Sequence, residues 1–106
     1  MFNQEEKELA LELAHKLEQR DYDSAYAMLS TSLQGSLNAT DFRQRYDQMI
    51  PQDWGKIDPI ELVDTEDFPF LYVVLGGDVY SEAIIIERFV VEDGQVKIDS
   101  LEFGRP

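Results

Sequence analysis

The first part of the chain repeats its apolar residues at intervals of three and four, the spacing of amphipathic helices. The pattern predicts a first helix whose buried face carries Leu9, Ala10, Leu13, Ala14 and Leu17. A second helix, with Asp21 or Asp23 as its N-cap, has a buried stripe formed by Tyr22, Ala25, Tyr26, Leu29 and Leu33. A third helix begins at Asn38, ends at Pro51 and turns inward Phe42, Tyr46, Met49 and Ile50.

Beyond "QDWGK" the apolar spacing falls to about two residues, which indicates β-strands. Ile60 and Leu62 alternate with charges, and "FLYVVL" is a compact apolar strand. A long strand from about Val79 to Val91 follows, and "VKIDSLEF" is the last. We therefore predict an α+β fold in which three N-terminal helices pack on a curved four-stranded antiparallel sheet, with residues 1–106 as one domain.

The stretch "AIIIERFVV" at 83–91 is apolar on both faces of a strand, interrupted only by Glu87-Arg88. A turn at Asp93-Gly94 would place Val91 opposite Val96, Phe89 opposite Ile98 and Arg88 opposite Asp99. In both strands the apolar side chains then change from one face to the other at the same position along the hairpin, at Glu87-Arg88 in one strand and Asp99-Ser100 in the other. A flat ribbon would leave half of these side chains in water, so we predict a sharp twist, a bulge or a cover on both sides. Glu87-Arg88 is interpreted as the position of a bend.

Charge limits the classes of partner. The chain has a formal net charge of −13, and residues 57–106 carry 12 acids against 3 bases. Nucleic acids and anionic lipids are therefore excluded as expected partners, since both require clustered Lys and Arg. The chain has no cysteine, no signal peptide pattern and no apolar run long enough for a bilayer, so we expect a cytoplasmic protein.

Candidate chemistry is sparse. His15 falls outside the apolar stripe of its helix, and Glu82, Glu87 and Glu102 lie on predicted strands, where one could act as a buried acid or all could be solvated. The densest acidic run comprises Asp58, Glu61, Asp64, Glu66 and Asp67. It lacks the spacing of a calcium loop, so no metal and no cofactor are predicted. It is either a docking surface for a basic partner or a charged edge strand that discourages pairing.

Three stretches, "RDYDSAYAMLS", "LNATDF" and "VKIDSLEFGRP", resemble the NTF2-like superfamily of cystatin-like α+β cones, and its small bacterial members in particular. The resemblance implies a curved sheet wrapped around a helix, a cone that can hold a pocket, and a homodimer through the outer sheet face. The surplus apolar residues of "AIIIERFVV" also favour a homodimer, with an interface at Ile84, Ile86, Leu101 and Phe103. No catalytic residue of the isomerase-like or dehydratase-like members matches this chain.

Three functions remain open. The first is a non-enzymatic interaction module, such as an immunity-type protein that binds and occludes a basic toxin. The second is a small-molecule binding protein whose cone is lined by Tyr26, Phe42, Tyr46 and Tyr72. The third is an isomerase-like or dehydratase-like enzyme, which would need a buried carboxylate with a raised pKa.

Overall fold

The computed structural model describes residues 2–55, 57, 60–64, 69–77 and 81–104. The helices in this part of the chain are α1 (Gln4–Glu18), α2 (Tyr22–Tyr26), α3 (Thr31–Ser36) and α4 (Ala39–Met49), followed by a 3₁₀ turn at Gln52–Trp54. The strands are β1 (Ile60–Val63), β2 (Leu71–Gly76), β3 (Ser81–Ile86), β4 (Phe89–Glu92), β5 (Gln95–Ile98) and β6 (Glu102–Gly104). The α+β class is confirmed. Among these helices, none combines the length and the apolar character that crossing a bilayer requires.

The strands form two sheets. Strands β1, β2, β3 and β6 are neighbours in that order in an antiparallel four-stranded sheet, and β4 pairs with β5 in a separate antiparallel hairpin. The core lies between the inner face of the larger sheet and the helices. Its fully buried members include Leu13, Leu17, Val73, Ile84 and Ile86.

Helices α1 and α4 have the boundaries that their caps dictate. Asn3 and Glu6 form a capping box at the start of α1, in which each side chain accepts a hydrogen bond from the other's backbone N–H. Asn38 caps α4 by accepting from the N–H of Asp41. Both predicted helices are confirmed, with Leu9 only partly buried at the margin of the apolar stripe.

The predicted second helix is wrong, because the chain divides it into α2 and α3. Leu29 forms a one-residue parallel bridge with Ile98. The Ile98 N–H donates to the Met28 carbonyl (2.9 Å), and the Ser30 N–H donates to the Ile98 carbonyl (2.8 Å). Ser30 then caps α3, since its Oγ accepts from the N–H of Leu33 (3.0 Å). A strand-like contact therefore replaces one turn of helix, although the apolar spacing continues through it.

At Glu87-Arg88, where a bend was predicted, the strand is interrupted, and this interruption separates the two sheets. The hairpin register is the predicted one, with Phe89 opposite Ile98 and Val91 opposite Val96. At the break, Ser100 Oγ accepts from the backbone N–H groups of Glu87 (2.9 Å) and Arg88 (3.0 Å). A hydroxyl thus takes the place of a strand carbonyl. Because no ladder continues through this level, each of the two predicted long strands becomes two short ones.

Asp99 connects the interrupted strands to the start of α3. Its carboxylate accepts a hydrogen bond from Ser30 Oγ (2.7 Å) and lies 3.6 Å from the Arg88 guanidinium. The Asp99 N–H also donates to the Arg88 carbonyl (2.9 Å), as expected for the predicted pair. Arg88 is exposed, so its ion pair contributes little stability, whereas the bond to the fully buried Ser30 fixes the position of the strand.

The apolar residues assigned from the sequence to a subunit interface lie in the core of the chain itself. Ile84 and Ile86 are 0% exposed. The Phe103 ring lies 6.1 Å from that of Phe42 and 5.9 Å from that of Tyr46, between ring centroids. Leu101 packs against the same core. Ile84 and Ile86 are therefore unavailable to a second subunit, whereas Leu101 and Phe103 are partly buried against the same core.

We predict that Ser100→Ala lowers the free energy of unfolding by about 1 kcal/mol, because two backbone N–H groups lose their acceptor. Urea denaturation followed by circular dichroism measures this loss. Ser81→Ala, at an exposed position at the start of β3, is the matched control and should change stability by less than about 0.5 kcal/mol. Equal effects of the two substitutions would contradict the role given to Ser100.

Candidate functional site

Three of the four predicted pocket residues belong to one aromatic cluster. The rings of Tyr26 and Phe42 lie 5.6 Å apart between centroids, and Phe103 extends the cluster to Tyr46. Phe42 and Tyr46 are fully buried. Such contacts are typical of a core cluster, in which the rings occupy the space that a ligand would need.

Tyr72 does not join this cluster. Its neighbours along β2, Leu71 and Val73, are fully buried on the helix side of the sheet. Because side chains alternate along a strand, Tyr72 lies on the opposite face, where its ring is 5.2 Å from that of Phe70. The four residues therefore do not line one pocket.

The hydroxyls of the partly buried Tyr26 and the fully buried Tyr46 differ in their surroundings. The Tyr26 hydroxyl donates to the Leu37 carbonyl (2.8 Å) and also lies near that of Gln34 (3.2 Å). The Tyr46 hydroxyl has no hydrogen-bond partner within the described residues. Burial raises the pKa of Tyr46, so this residue stays a neutral phenol and is unsuited to proton transfer near neutral pH.

We predict opposite effects of removing these two hydroxyls. Tyr46→Phe should raise the free energy of unfolding by about 1 kcal/mol, because it removes a buried polar group without a partner. Tyr26→Phe should lower it by about 1 kcal/mol, because it leaves a carbonyl without its donor. Urea denaturation of both variants measures the difference, and destabilisation by Tyr46→Phe would show that the hydroxyl is bonded in solution.

Sequence reasoning missed a polar network that joins α1, α2 and α4. Arg20 donates to the Asp47 carboxylate (2.7 Å) and to the Ile50 carbonyl (2.9 Å), and the Tyr22 hydroxyl donates to the same carboxylate. Burial raises the pKa of Tyr22, and the bond to Asp47 acts in the same direction. Arg43 lies over the Tyr22 ring at 5.1 Å. These groups bind one another, so the network holds helices together and leaves little bonding capacity for a ligand.

The carboxylates considered for acid–base chemistry are dispersed. Glu87 and Glu102 are exposed, and Glu82 is 7% exposed on the inner face of β3. His15 is exposed on α1. In the described part of the chain, no group of three or more His, Asp or Glu side chains is arranged to hold a metal ion.

The acidic run predicted as a docking surface is described only in part. Asp58, Glu66 and Asp67 lie outside the described residues. Glu61 is exposed on β1, whereas Asp64 forms an ion pair with Lys7 on α1 (3.2 Å). One member of the run therefore connects the sheet to a helix instead of facing solvent as a free acid.

A groove of about 460 Å³ lies between α1 and the hairpin tip. Its α1 wall carries Glu5, Glu8, Leu9 and Glu12, and its other residues are Met28 and 94–97. Glu5, Glu8 and Glu12 share one helix face because they are spaced by three and four residues, on the side away from the buried stripe. Leu9, Met28 and Val96 give the groove an apolar part.

The three glutamates of this groove form no ion pair within the described residues, although Lys97, which also lines the groove, brings one positive charge to it. Lys7 pairs with Asp64, Lys16 pairs with Asp21, and the Lys97 ammonium donates to the Ala27 carbonyl (2.8 Å). Glu5 and Glu12 have no ion-pair partner in the part of the chain that the structure describes. All three glutamates are exposed, and Glu8 accepts one hydrogen bond from Gln4 (3.3 Å). The arrangement suits a ligand that brings its own positive charges.

An apolar residue extends the same surface. Val91, opposite Val96 in the hairpin, is 66% exposed. Its side chain lies on the same face of the hairpin as that of Val96, which lines the groove. The sequence signal for this site was the Glu5, Glu8, Glu12 spacing, which indicates only a solvated helix face until the hairpin is placed beside it.

Comparison of the chain with known protein families, with curated proteins and with solved structures gave no match. The assignment to the NTF2-like superfamily therefore stays a prediction.

Proposed function

We propose that the protein is a non-enzymatic interaction module of NTF2-like fold that binds a basic protein at the groove between α1 and β5. The observation that carries the proposal is the row of three glutamates, without ion-pair partners among the described residues, beside an apolar strip. The helix-first order and the interrupted strands packed on those helices support an NTF2-like cone.

The physical basis is electrostatic attraction followed by apolar contact. A net charge of −13 attracts a basic partner over a distance of about a Debye length and disfavours acidic ones. The glutamates then pair with Lys or Arg, while Leu9, Met28 and Val96 exclude water from the contact. Charge sets the rate of encounter and the specificity, and the apolar strip supplies much of the affinity.

A basic toxin is the partner class that fits best. In a cytoplasmic immunity-type protein, the groove would occupy Lys or Arg side chains beside the toxin's active site and so block substrate entry. The absence of a catalytic motif in the sequence agrees with inhibition by occlusion.

We predict that Glu5→Gln/Glu8→Gln/Glu12→Gln weakens binding of a basic peptide about tenfold, because three charge pairs are lost. The probe is a fluorescein-labelled peptide of alternating Lys and Val, about seven residues long, with binding measured by fluorescence anisotropy at low salt. Raising the ionic strength to about 0.5 M should weaken the wild-type complex and reduce the difference between the proteins.

The matched control for this prediction is Asp23→Asn/Asp53→Asn/Glu87→Gln. All three positions are exposed and outside the groove, and the change in net charge is the same. The control should retain nearly all of the affinity. Equal weakening by both triple variants would mean that net charge alone attracts the peptide, and the assignment of a site would be wrong.

We also propose that the protein is a homodimer, through the outer face of the four-stranded sheet. Val63, Tyr72 and Ile85 lie side by side across β1, β2 and β3, with Glu102 of β6 at the end of the row, and in the adjacent row Val74 lies between Glu61 and Ala83. These side chains point away from the helices. A second copy placed with two-fold symmetry would cover the half-buried apolar centre of this face and leave Glu61 and Glu102 at its margins.

For the dimer we predict that Ile85→Glu shifts the protein to a monomer in sedimentation velocity at high micromolar concentration, because it places a charge at the centre of the proposed interface. Val90→Glu introduces the same charge at an exposed position of the hairpin and should leave the dimer intact. A wild-type monomer at that concentration would contradict the homodimer without affecting the groove.

A further inference from the structure

Strand β5 has one edge that is only partly paired. On one side it forms the hairpin with β4, and on the other side it meets the segment 28–30 at Ile98 alone. The short segment reaches this point from α2 and leaves it into α3. The edge of β5 toward the hairpin tip therefore continues without a neighbouring strand in the described structure.

The direction of the β5 backbone groups follows from their hydrogen bonds. The Ile98 N–H and carbonyl both bond the segment 28–30, so they point away from β4. The Asp99 N–H bonds the Arg88 carbonyl and so points toward the other strand of the hairpin, as the alternation of an antiparallel ladder requires. Val96 lies two residues before Ile98 and therefore shares its orientation. Its N–H and carbonyl point away from β4, toward the side on which Met28 lies.

These two Val96 backbone groups have no hydrogen-bond partner among the described residues, and Val96 lines the groove together with Met28. An unpaired strand edge is a template for another strand, because it presents a donor and an acceptor at fixed positions. The bridge at Ile98 shows that this edge accepts a parallel neighbour one step further along.

On the α1 wall of the groove, the spacing of the glutamates matches the spacing of alternate side chains in an extended basic segment. Glu5 and Glu12 are seven residues apart on α1, which corresponds to a rise of about 10 Å. Alternate side chains of a strand repeat at about 6.6 Å, so two or three Lys or Arg residues at alternate positions lie within reach of the three glutamates. The intervening side chains of such a segment point the other way, so a chain alternating basic and apolar residues suits this site.

We propose that the groove binds an extended segment of its basic partner as an added strand on β5. The segment's backbone bonds the N–H and carbonyl of Val96, and its Lys or Arg side chains pair with Glu5, Glu8 and Glu12. This inference rests on the proposed binding of a basic partner and adds the conformation and the residue pattern that the groove selects.

The test uses the same Lys–Val peptide with one backbone amide N-methylated at a time. N-methylation removes a donor and adds bulk at a single edge of the peptide. We expect a loss of affinity of about tenfold when the methyl group lies on the edge that faces β5, and little change in the alternate positions. In the full-length protein labelled with nitrogen-15, the peptide should also slow hydrogen exchange of the Val96 amide.

A substitution in the protein provides the complementary measurement. Val96→Pro removes the outward N–H but leaves the β4–β5 bonds, which are made by the residues on either side. It should lower the affinity for the peptide about as much as N-methylation on the β5-facing edge does. Val96→Thr keeps the backbone donor and the β-branched shape but loses apolar contact, so it should weaken peptide binding less than Val96→Pro does. If Val96→Pro does not fold, the methylated peptides alone decide the matter.

The outcomes separate the two proposals. Alternating sensitivity to N-methylation, lost in Glu5→Gln/Glu8→Gln/Glu12→Gln, supports an added strand. If N-methylation at every position leaves the affinity unchanged and a helix-forming Lys–Leu peptide binds more tightly, the added strand is wrong. The proposed binding of a basic partner would then remain. Failure of both peptides to bind at low salt would overturn both.

Discussion

The fold depends on the hydrogen bonds that the backbone N–H groups of Glu87 and Arg88 make where the strands are interrupted. At this point the buried side chains change from one face of the strands to the other, so a single ladder of backbone hydrogen bonds does not run through both sheets. Ser100 replaces the missing strand acceptor, and Asp99 connects the interruption to Ser30 at the start of α3. The four-stranded sheet and the hairpin can then bury their apolar residues in different directions. The division of the helices at Leu29 follows from the same geometry, because that segment pairs with β5 beside the interruption.

Local patterns in the sequence predicted the elements that local forces determine. The capped helices α1 and α4, the hairpin register and the face change at Glu87-Arg88 all follow from spacing, caps and a turn. The split of the second helix could not be predicted in this way. Its apolar spacing is helical throughout, and only the long-range pairing of Leu29 with Ile98 decides against it. Similarly, the burial of Ile84 and Ile86 depends on helices that the pattern could not place over them.

The candidate site was less predictable than the fold. Aromatic residues on inward stripes looked like a pocket lining, but three of them fill the core and Tyr72 lies on the other face of the sheet. The acidic run at 58–67 was predicted as a docking surface because its charges are close together in sequence. The groove, in contrast, combines a helix face with a hairpin some 85 residues later, and nothing in either segment alone indicates the other. Sites of this kind become visible only when both elements are placed in space.

The connection of the hairpin to the rest of the molecule has a consequence for how the protein can diversify. Glu92 binds the N-terminus of α3 through Thr31, and Lys97 binds the Ala27 carbonyl. These bonds anchor the hairpin from the side, while its tip at Asp93-Gly94 contributes no residue to the core. The exposed side chain of Gln95 can therefore change at little cost to folding, whereas Gly94, with a φ of 79°, and the two-residue length of the turn are required by the hairpin register. Substitutions on either side of this turn could alter which partner is bound while the interior stays the same.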